Sequence, residues 1–214
     1  MPVICPTILA TDQQQYHQQI EKVAGFAERI QIDLSDGKFT KTQSVRPDDA
    51  WWPVGVKADF HLMYEQPQTA IDIILEHRPN LVIVHAEAGG DFLTVAEKLR
   101  KLGIATGVAL LAKTPAQTIF SALGHIDHVL IFSGSLGEYG GHADMGLLKK
   151  VAVLKSQKPS LEIGWDGGVN DSNISQLAFG GVDVFNVGSF LQDAREPEKV
   201  YKALARIADE TGTT

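Results

Sequence analysis

The sequence predicts a single (β/α)8 barrel, and two of its features lead to that fold class. Apolar, strand-like runs recur at intervals of about 21 to 33 residues, starting at Val3, Glu28, Val56, Leu81, Ala105, His128, Leu161 and Val182. Helix-like segments lie between most of these runs, at residues 13–24, 69–76, 92–102, 116–123, 145–156 and 173–179. Consecutive β/α units of this number and length are what a closed parallel barrel requires.

A doubly wound parallel sheet is the alternative fold. It normally has fewer strands and a glycine-rich phosphate turn after the first strand, whereas residues 9–12 contain no glycine. Residues 38–55 are a poor helix because they contain prolines and adjacent tryptophans, so we expect a loop with at most a turn or two. A last amphipathic helix is expected at residues 198–210. Helix starts are expected at Asp12, Asp91, Thr114 and Asp171.

Composition limits the classes of partner and location. The chain has 214 residues and is 44% hydrophobic, so we expect one domain over residues 1–214. Acidic residues outnumber basic ones by 26 to 19, which argues against a nucleic-acid or anionic membrane partner. The amino terminus lacks a secretory signal pattern and no long apolar span occurs, so a cytoplasmic location is expected. Cys5 is the only cysteine, which excludes an internal disulfide.

The second predicted strand has an unusual polar face. Strict alternation places Ile30, Ile32 and Leu34 on one side of it. Gln31 and Asp33 lie on the opposite side, and a row of polar groups on a strand is either a paired, buried cluster or the lining of a ligand site.

Two later strands carry the same kind of residue, His61 on the third and Asp166 at the end of the seventh. We expect Asp33, His61 and Asp166 to converge at the carboxyl ends of the barrel strands, where such barrels place their active sites. Two carboxylates facing each other can remove a proton from one side of a substrate and return one to the other side. A proton next to a ketone is weakly acidic, so a divalent cation (Zn, Fe, Mn or Mg) is expected as Lewis acid, with His61 as its nitrogen ligand.

Glycines follow three consecutive predicted strands. Gly140-Gly141 follows the sixth strand, Gly167-Gly168 the seventh and Gly188-Ser189 the eighth. Glycine allows backbone N–H groups to approach a phosphate closely, and the loops after strands seven and eight often form an anion site in this fold. These turns therefore predict a phosphate site.

Several motifs, in order along the chain, resemble those of the ribulose-phosphate 3-epimerase family. They are Cys5-Pro6-Thr7-Ile8-Leu9-Ala10, Ile32-Asp33-Leu34-Ser35-Asp36-Gly37-Lys38-Phe39, His61-Leu62-Met63, Val84-His85-Ala86-Glu87-Ala88, Tyr139-Gly140-Gly141, Asp166-Gly167-Gly168-Val169 and Gly188-Ser189. The resemblance implies a phosphate-binding barrel, with possible self-association, that interconverts ribulose 5-phosphate and xylulose 5-phosphate through a metal-stabilised enediolate.

The resemblance also implies roles for individual residues. Asp33 and Asp166 would be the acid/base pair and metal ligands, and His61 a third ligand beside the substrate. Thr7 stands where the family has a serine that contacts substrate. The phosphate would be held by Gly140, Gly141, Gly167, Gly168, Gly188 and Ser189.

The chain departs from the family at the site itself. The family's fourth metal ligand is a histidine, whereas this chain has Gln31, whose amide oxygen is generally a poorer donor than imidazole for zinc or iron(II). Ser35 replaces a methionine of the family's active-site lining. These changes leave open a non-catalytic or altered-substrate phosphosugar-binding barrel.

A third hypothesis is a decarboxylase or aldolase that acts on a phosphorylated ketose. Residues 57–61 lack the Asp-x-Lys-x-x-Asp motif expected of the decarboxylases, which argues against it.

Overall fold

The strands of the protein close into a parallel barrel. The computed structural model describes residues 2–138 and 140–212, and it contains the strands β1 Val3–Ile8, β2 Arg29–Ser35, β3 Lys57–Met63, β4 Leu81–His85, β5 Ala105–Leu110, β6 His128–Phe132, β7 Glu162–Asp166 and β8 Val184–Val187. Each strand pairs with the next in sequence, and β8 pairs with β1. The predicted fold class is confirmed, and each predicted strand start lies within about two residues of the observed one.

Helices cover the outside of the barrel. They are α1 Gln13–Val23, α2 Gln68–His77, α3 Phe92–Lys101, α4 Leu148–Gln157, α5 Ile174–Phe179, α6 Ser189–Gln192 and α7 Pro197–Gly212, with 3₁₀ turns at Pro47–Asp49 and Met145–Leu147. The loop expected at residues 38–55 is confirmed, with the 3₁₀ turn at Pro47–Asp49 and a second turn that Val56 N–H closes by donating to the Pro53 carbonyl. The helix expected at residues 116–123 is a 3₁₀ helix, Ala116–His125, with i to i+3 hydrogen bonds at both ends, from Thr118 N–H to the Pro115 carbonyl and from Ile126 N–H to the Leu123 carbonyl.

Two of the expected helix starts are confirmed and two are wrong. The side chains of Asp12 and Asp91 accept hydrogen bonds from backbone N–H groups in the first turns of α1 and α3. Thr114 does not cap a helix, because its hydroxyl donates instead to the carboxylate of Glu87. Asp171 does not cap α5 either, since Asn173 occupies that position.

Apolar side chains form one core outside the strands and a smaller one inside the barrel. Ile30, Ile32 and Leu34 belong to the large core between barrel and helices, as their alternation predicts. A separate apolar cluster consists of Leu81, Ile83, Ala109 and Leu130. These residues of β4, β5 and β6 alternate with those of the outer core, so they lie on the inside of the barrel.

A partly buried ionic network closes the amino-terminal end of the barrel. Arg29, the first residue of β2, donates to Asp59 at 2.5 Å and through both terminal nitrogens to Glu162 at 2.9 Å. His128 lies 2.7 Å from the same Glu162 carboxylate. Arg29 and His128 hold the pKa of Glu162 well below its usual value despite burial. Because these side chains fill the amino-terminal end, the opposite end of the barrel, at the carboxyl ends of the strands, remains for a functional site.

Among the described residues, no helix is long and apolar enough to cross a membrane.

Candidate functional site

Asp33, His61 and Asp166 meet at the carboxyl ends of β2, β3 and β7. Asp33 and His61 are paired across neighbouring strands, and Asp166 is the last residue of β7. Each of the three offers one ligand atom, and these atoms all lie within 4.8 Å of one another. The expected convergence is therefore observed. It arises because parallel strands in a closed barrel bring all their carboxyl ends to one mouth, and the inward face of each strand is fixed by its alternation.

Gln31 joins the two carboxylates. It lies two residues before Asp33, and its amide Nε2 donates to Asp33 Oδ1 at 2.9 Å and to Asp166 Oδ2 at 2.7 Å. Its Oε1 is buried and has no hydrogen-bond partner among the described residues. The group facing the carboxylates is thus an N–H donor, which holds the two acids together by hydrogen bonds and does not itself coordinate a cation.

The two carboxylates differ in their surroundings. Burial raises the pKa of Asp166, and the neighbouring charge of Asp33 raises it further, to about 7. His61 and the Gln31 amide act in the opposite direction but do not cancel these effects. At neutral pH, Asp166 is therefore a carboxyl group poised between its acid and base forms, as a group that gives or takes a proton requires.

Behind Asp33 lies a chain of buried polar groups. His61 Nδ1 is 2.9 Å from Asp33 Oδ1, and His61 Nε2 is 2.8 Å from His85 Nε2. His85 Nδ1 in turn faces Glu87 Oε2 at 3.4 Å. Burial lowers the pKa of His85 to about 4, so its imidazole is neutral at pH 7.

Glu87 is the member of this chain to which the sequence reasoning assigned no role. The signals for it were its place two residues after His85, just beyond the end of β4, and its inclusion in the family-like motif Val84-His85-Ala86-Glu87-Ala88. Burial raises the pKa of Glu87, but hydrogen bonds from His85, Thr114 and the backbone of Leu111 outweigh that effect and lower it. Glu87 is therefore a carboxylate at neutral pH.

A cavity opens above the two aspartates. Its lining includes many of the residues expected at the site, namely Thr7, Asp33, Gly140, Asp166, Gly167, Gly168, Gly188 and Ser189. Met63 and Phe132 add apolar surface to it. His61 has no exposed area and lies behind Asp33. Gly141 lies beside Gly134, outside the lining, and Tyr139 falls outside the described residues.

The turn after β7 requires glycine at both positions. Gly167 and Gly168 have φ of +114° and +73°, which side-chain-bearing residues rarely adopt. A Cβ on Gly167 would lie 2.4 Å from the Gly134 backbone N, and one on Gly168 would lie 2.4 Å from the Ala143 backbone N. The two glycines therefore allow the loop after β6 to pack directly on the loop after β7.

The residues present suit a divalent cation. Two carboxylates and one imidazole are a common donor set for such ions, and here they are preassembled at the base of the cavity. The pair His61 Nδ1 and Asp33 Oδ1 would be two of the donors. Gln31 is a further candidate only through its unpartnered Oε1, because its Nε2 faces the carboxylates.

Comparison with known proteins gives the relationships of the chain. Residues 3–192 match the ribulose-phosphate 3 epimerase family. Ribulose-phosphate 3-epimerase of Helicobacter pylori (strain ATCC 700392 / 26695) is 27% identical over 95% of this chain and 97% of its own length. The enzyme of that name from Mycobacterium leprae (strain TN) is 30% identical over 97% of this chain and 95% of its own.

Among solved structures, 3-hexulose-6-phosphate synthase from Salmonella typhimurium has a TM-score of 0.73, covering 98% of this chain and 99% of its own. Its sequence identity is 12%, so this likeness supports the barrel fold alone. The match over nearly the whole chain is what decides the family. The chain belongs to the ribulose-phosphate 3-epimerase family.

Proposed function

We propose that the protein is a cytoplasmic isomerase that inverts C3 of a phosphorylated ketose, converting D-ribulose 5-phosphate to D-xylulose 5-phosphate. Membership of the family and the names of its relatives support an epimerase. The observation that carries the proposal is the opposed pair of Asp33 and Asp166, joined by one amide and lining one cavity.

The proposed reaction moves one proton from carbon to carboxylate and another from carboxyl to carbon. Asp33, which accepts hydrogen bonds from Gln31 and faces His61, removes the C3 proton from one side of the substrate. The C–H electron pair becomes the C2–C3 double bond of an enediolate, while the π pair of the C2 carbonyl moves onto its oxygen and returns when C3 is protonated again. Asp166, protonated in part at neutral pH, then gives its proton to C3 from the other side. In the reverse reaction the two residues exchange roles.

Asp33, His61 and Asp166 are the residues that would hold a divalent cation. Such a cation supplies a Lewis acid that stabilises negative charge developing on the substrate oxygens. Thr7, at the edge of the cavity, is placed to contact the sugar.

The glycine turns after β6, β7 and β8 are the proposed phosphate site. Gly140, Gly168, Gly188 and Ser189 all border the cavity and present little side-chain bulk to it. Side-chain amides of Asn170 and Asn173 donate to the carbonyl oxygen of Gly168, which fixes the turn from behind. A turn that is fixed in this way and free of side-chain bulk suits backbone contacts to an anion in a protein whose net charge is −7.

The experiment that tests the proposal is conversion of D-ribulose 5-phosphate followed by NMR, with the purified protein before and after chelation of metal. We expect D-xylulose 5-phosphate to form, the rate to fall on chelation, and Mn²⁺ or Zn²⁺ to restore it. Binding of the phosphosugar without conversion under every metal condition would reject the epimerase. Self-association also stays a prediction, which sedimentation would test.

A further inference from the structure

Two imidazoles form the centre of a buried chain with a carboxylate at each end. The side chains of His61 and His85 have no exposed area, and their rings lie 4.9 Å apart. Phe39 packs 4.9 Å from the His85 ring, and Phe132 lies 5.9 Å from the His61 ring. Asp33 is at one end of the chain and Glu87 at the other. The hydrogen bonds within the chain are therefore made among its own members and not to bulk water.

When both imidazoles are uncharged, they carry too few N–H groups to donate to Asp33 and to Glu87 at the same time. Two neutral imidazoles carry two N–H groups, and the 2.8 Å contact between the Nε2 atoms of His61 and His85 uses one of them. The second N–H lies either on His61 Nδ1, facing Asp33, or on His85 Nδ1, facing Glu87. In the first arrangement His85 donates to His61, and in the second His61 donates to His85.

A cation at the site requires the second arrangement. A metal-bound nitrogen must offer a lone pair, and His61 Nδ1 is the nitrogen that faces Asp33 and the other ligand atoms. With that lone pair in use, the proton of His61 must lie on Nε2 and point at His85. The proton of His85 must then lie on Nδ1, where Glu87 is the acceptor.

We propose that Glu87, acting through His85, is the positioning residue that keeps the His61 proton on Nε2 and leaves Nδ1 free to bind a divalent cation. This inference rests on the cation-binding part of the proposed function. The cation and the Asp33 carboxylate thus compete for the same nitrogen, and the far carboxylate makes the metal-binding tautomer favourable.

The surroundings of Glu87 make Glu87→Gln a sharp test. Glu87 Oε1 accepts from the Leu111 backbone N–H and the Thr114 hydroxyl, while Oε2 faces His85. An amide at this position keeps its oxygen on the two donors, so its NH₂ group faces His85 Nδ1. That group is a donor where the metal-binding arrangement needs an acceptor. The variant keeps the size of the side chain. It favours the arrangement with protons on His61 Nδ1 and His85 Nε2, in which His61 Nδ1 cannot bind a cation.

The experiment is a titration of the full chain with Zn²⁺, followed by calorimetry and by long-range ¹H–¹⁵N correlation spectra of the imidazoles. In the Zn²⁺-bound wild type, the proton of His61 should lie on Nε2 and the proton of His85 on Nδ1. Glu87→Gln should bind Zn²⁺ about 10- to 100-fold more weakly. Glu97→Gln, on the exposed face of α3, removes the same charge and should bind as the wild type does.

Either of two results would overturn the inference: unchanged Zn²⁺ affinity in a folded Glu87→Gln, or a Zn²⁺-bound wild type in which the His85 proton lies on Nε2. If the wild type binds no Zn²⁺, the cation-binding part of the proposed function fails. Spectra of Asp33→Ala without added metal then still test whether Glu87 draws the imidazole proton to its end of the chain. Removing the Asp33 acceptor should place the second N–H, the one that does not lie between the two imidazoles, on His85 Nδ1. A proton that stays on His61 Nδ1 in that variant contradicts the inference.

Discussion

Gln31 Nε2 lies 2.7 Å from Asp166 Oδ2, at the position where the sequence resemblance to the family implies a histidine ligand. The same nitrogen also donates to Asp33, so one neutral amide compensates two adjacent acids. Charge-assisted hydrogen bonds of this kind offset part of the repulsion between buried carboxylates. They also compete with a cation for the same oxygens, and this competition leads to the first prediction.

Gln31→His should bind Zn²⁺ at least about tenfold more tightly than the wild type, because imidazole is a better donor for this ion than an amide. Calorimetry with a competing chelator measures the change. Gln157→His, at the exposed end of α4, adds a histidine away from the site and should have no effect. Equal or weaker binding by Gln31→His would show that the amide is not what limits affinity at this position.

Asp166 should make the stability of the protein depend on pH. Its pKa is about 7 in the folded protein against an ordinary value of 3.8, so the folded state binds this proton more tightly than the unfolded state does. The resulting stabilisation is complete below about pH 4 and is lost as the pH rises to about 7.

Asp166→Asn lacks this dependence. Its free energy of unfolding, relative to wild type, should therefore rise by on the order of 1–3 kcal/mol between pH 4.5 and pH 8. Urea unfolding without added metal measures the difference, and Asp171→Asn, an exposed control, should follow the wild type. A constant difference between variant and wild type would show that the pKa of Asp166 is not raised.

Gly168→Ala should weaken substrate binding more than it lowers turnover. Its φ of +73° and the 2.4 Å approach of the added Cβ to the Ala143 backbone require the turn after β7 to move. We expect KM for D-ribulose 5-phosphate to rise at least about tenfold, equivalent to about 1.4 kcal/mol of binding free energy. Gly25→Ala meets no atom within 4 Å and serves as the control. An unchanged KM in Gly168→Ala would place the phosphate elsewhere.

The sequence predicted the barrel and the meeting of Asp33, His61 and Asp166 because both follow from local patterns. Alternation fixes which side of each strand faces inward, and closure of a parallel barrel brings the strand ends together whatever their separation in sequence. The glycine turns were predictable for the same reason, since their position after a strand end determines where they lie.

The hydrogen-bond partners within the site could not be predicted in this way. Gln31 was expected as a doubtful metal ligand, yet which of its amide atoms faces the carboxylates depends on distances across the barrel. Glu87 lies beyond the end of β4, and its link to His61 runs through a contact between side chains of neighbouring strands. Thr114 has the residue type of a helix cap, but a tertiary partner, Glu87, takes its hydroxyl.

The most direct test of the account is deuterium incorporation at C3 of D-ribulose 5-phosphate in D₂O, followed by NMR for the wild type, Asp33→Asn, Asp166→Asn and Asp171→Asn. The wild type and Asp171→Asn should convert the substrate and label C3, because the acid and base exchange their protons with solvent. Asp33→Asn and Asp166→Asn should each lose about 10²- to 10⁴-fold in turnover. Turnover by Asp166→Asn at the wild-type rate would contradict the proposal that these two carboxylates carry the proton across the substrate.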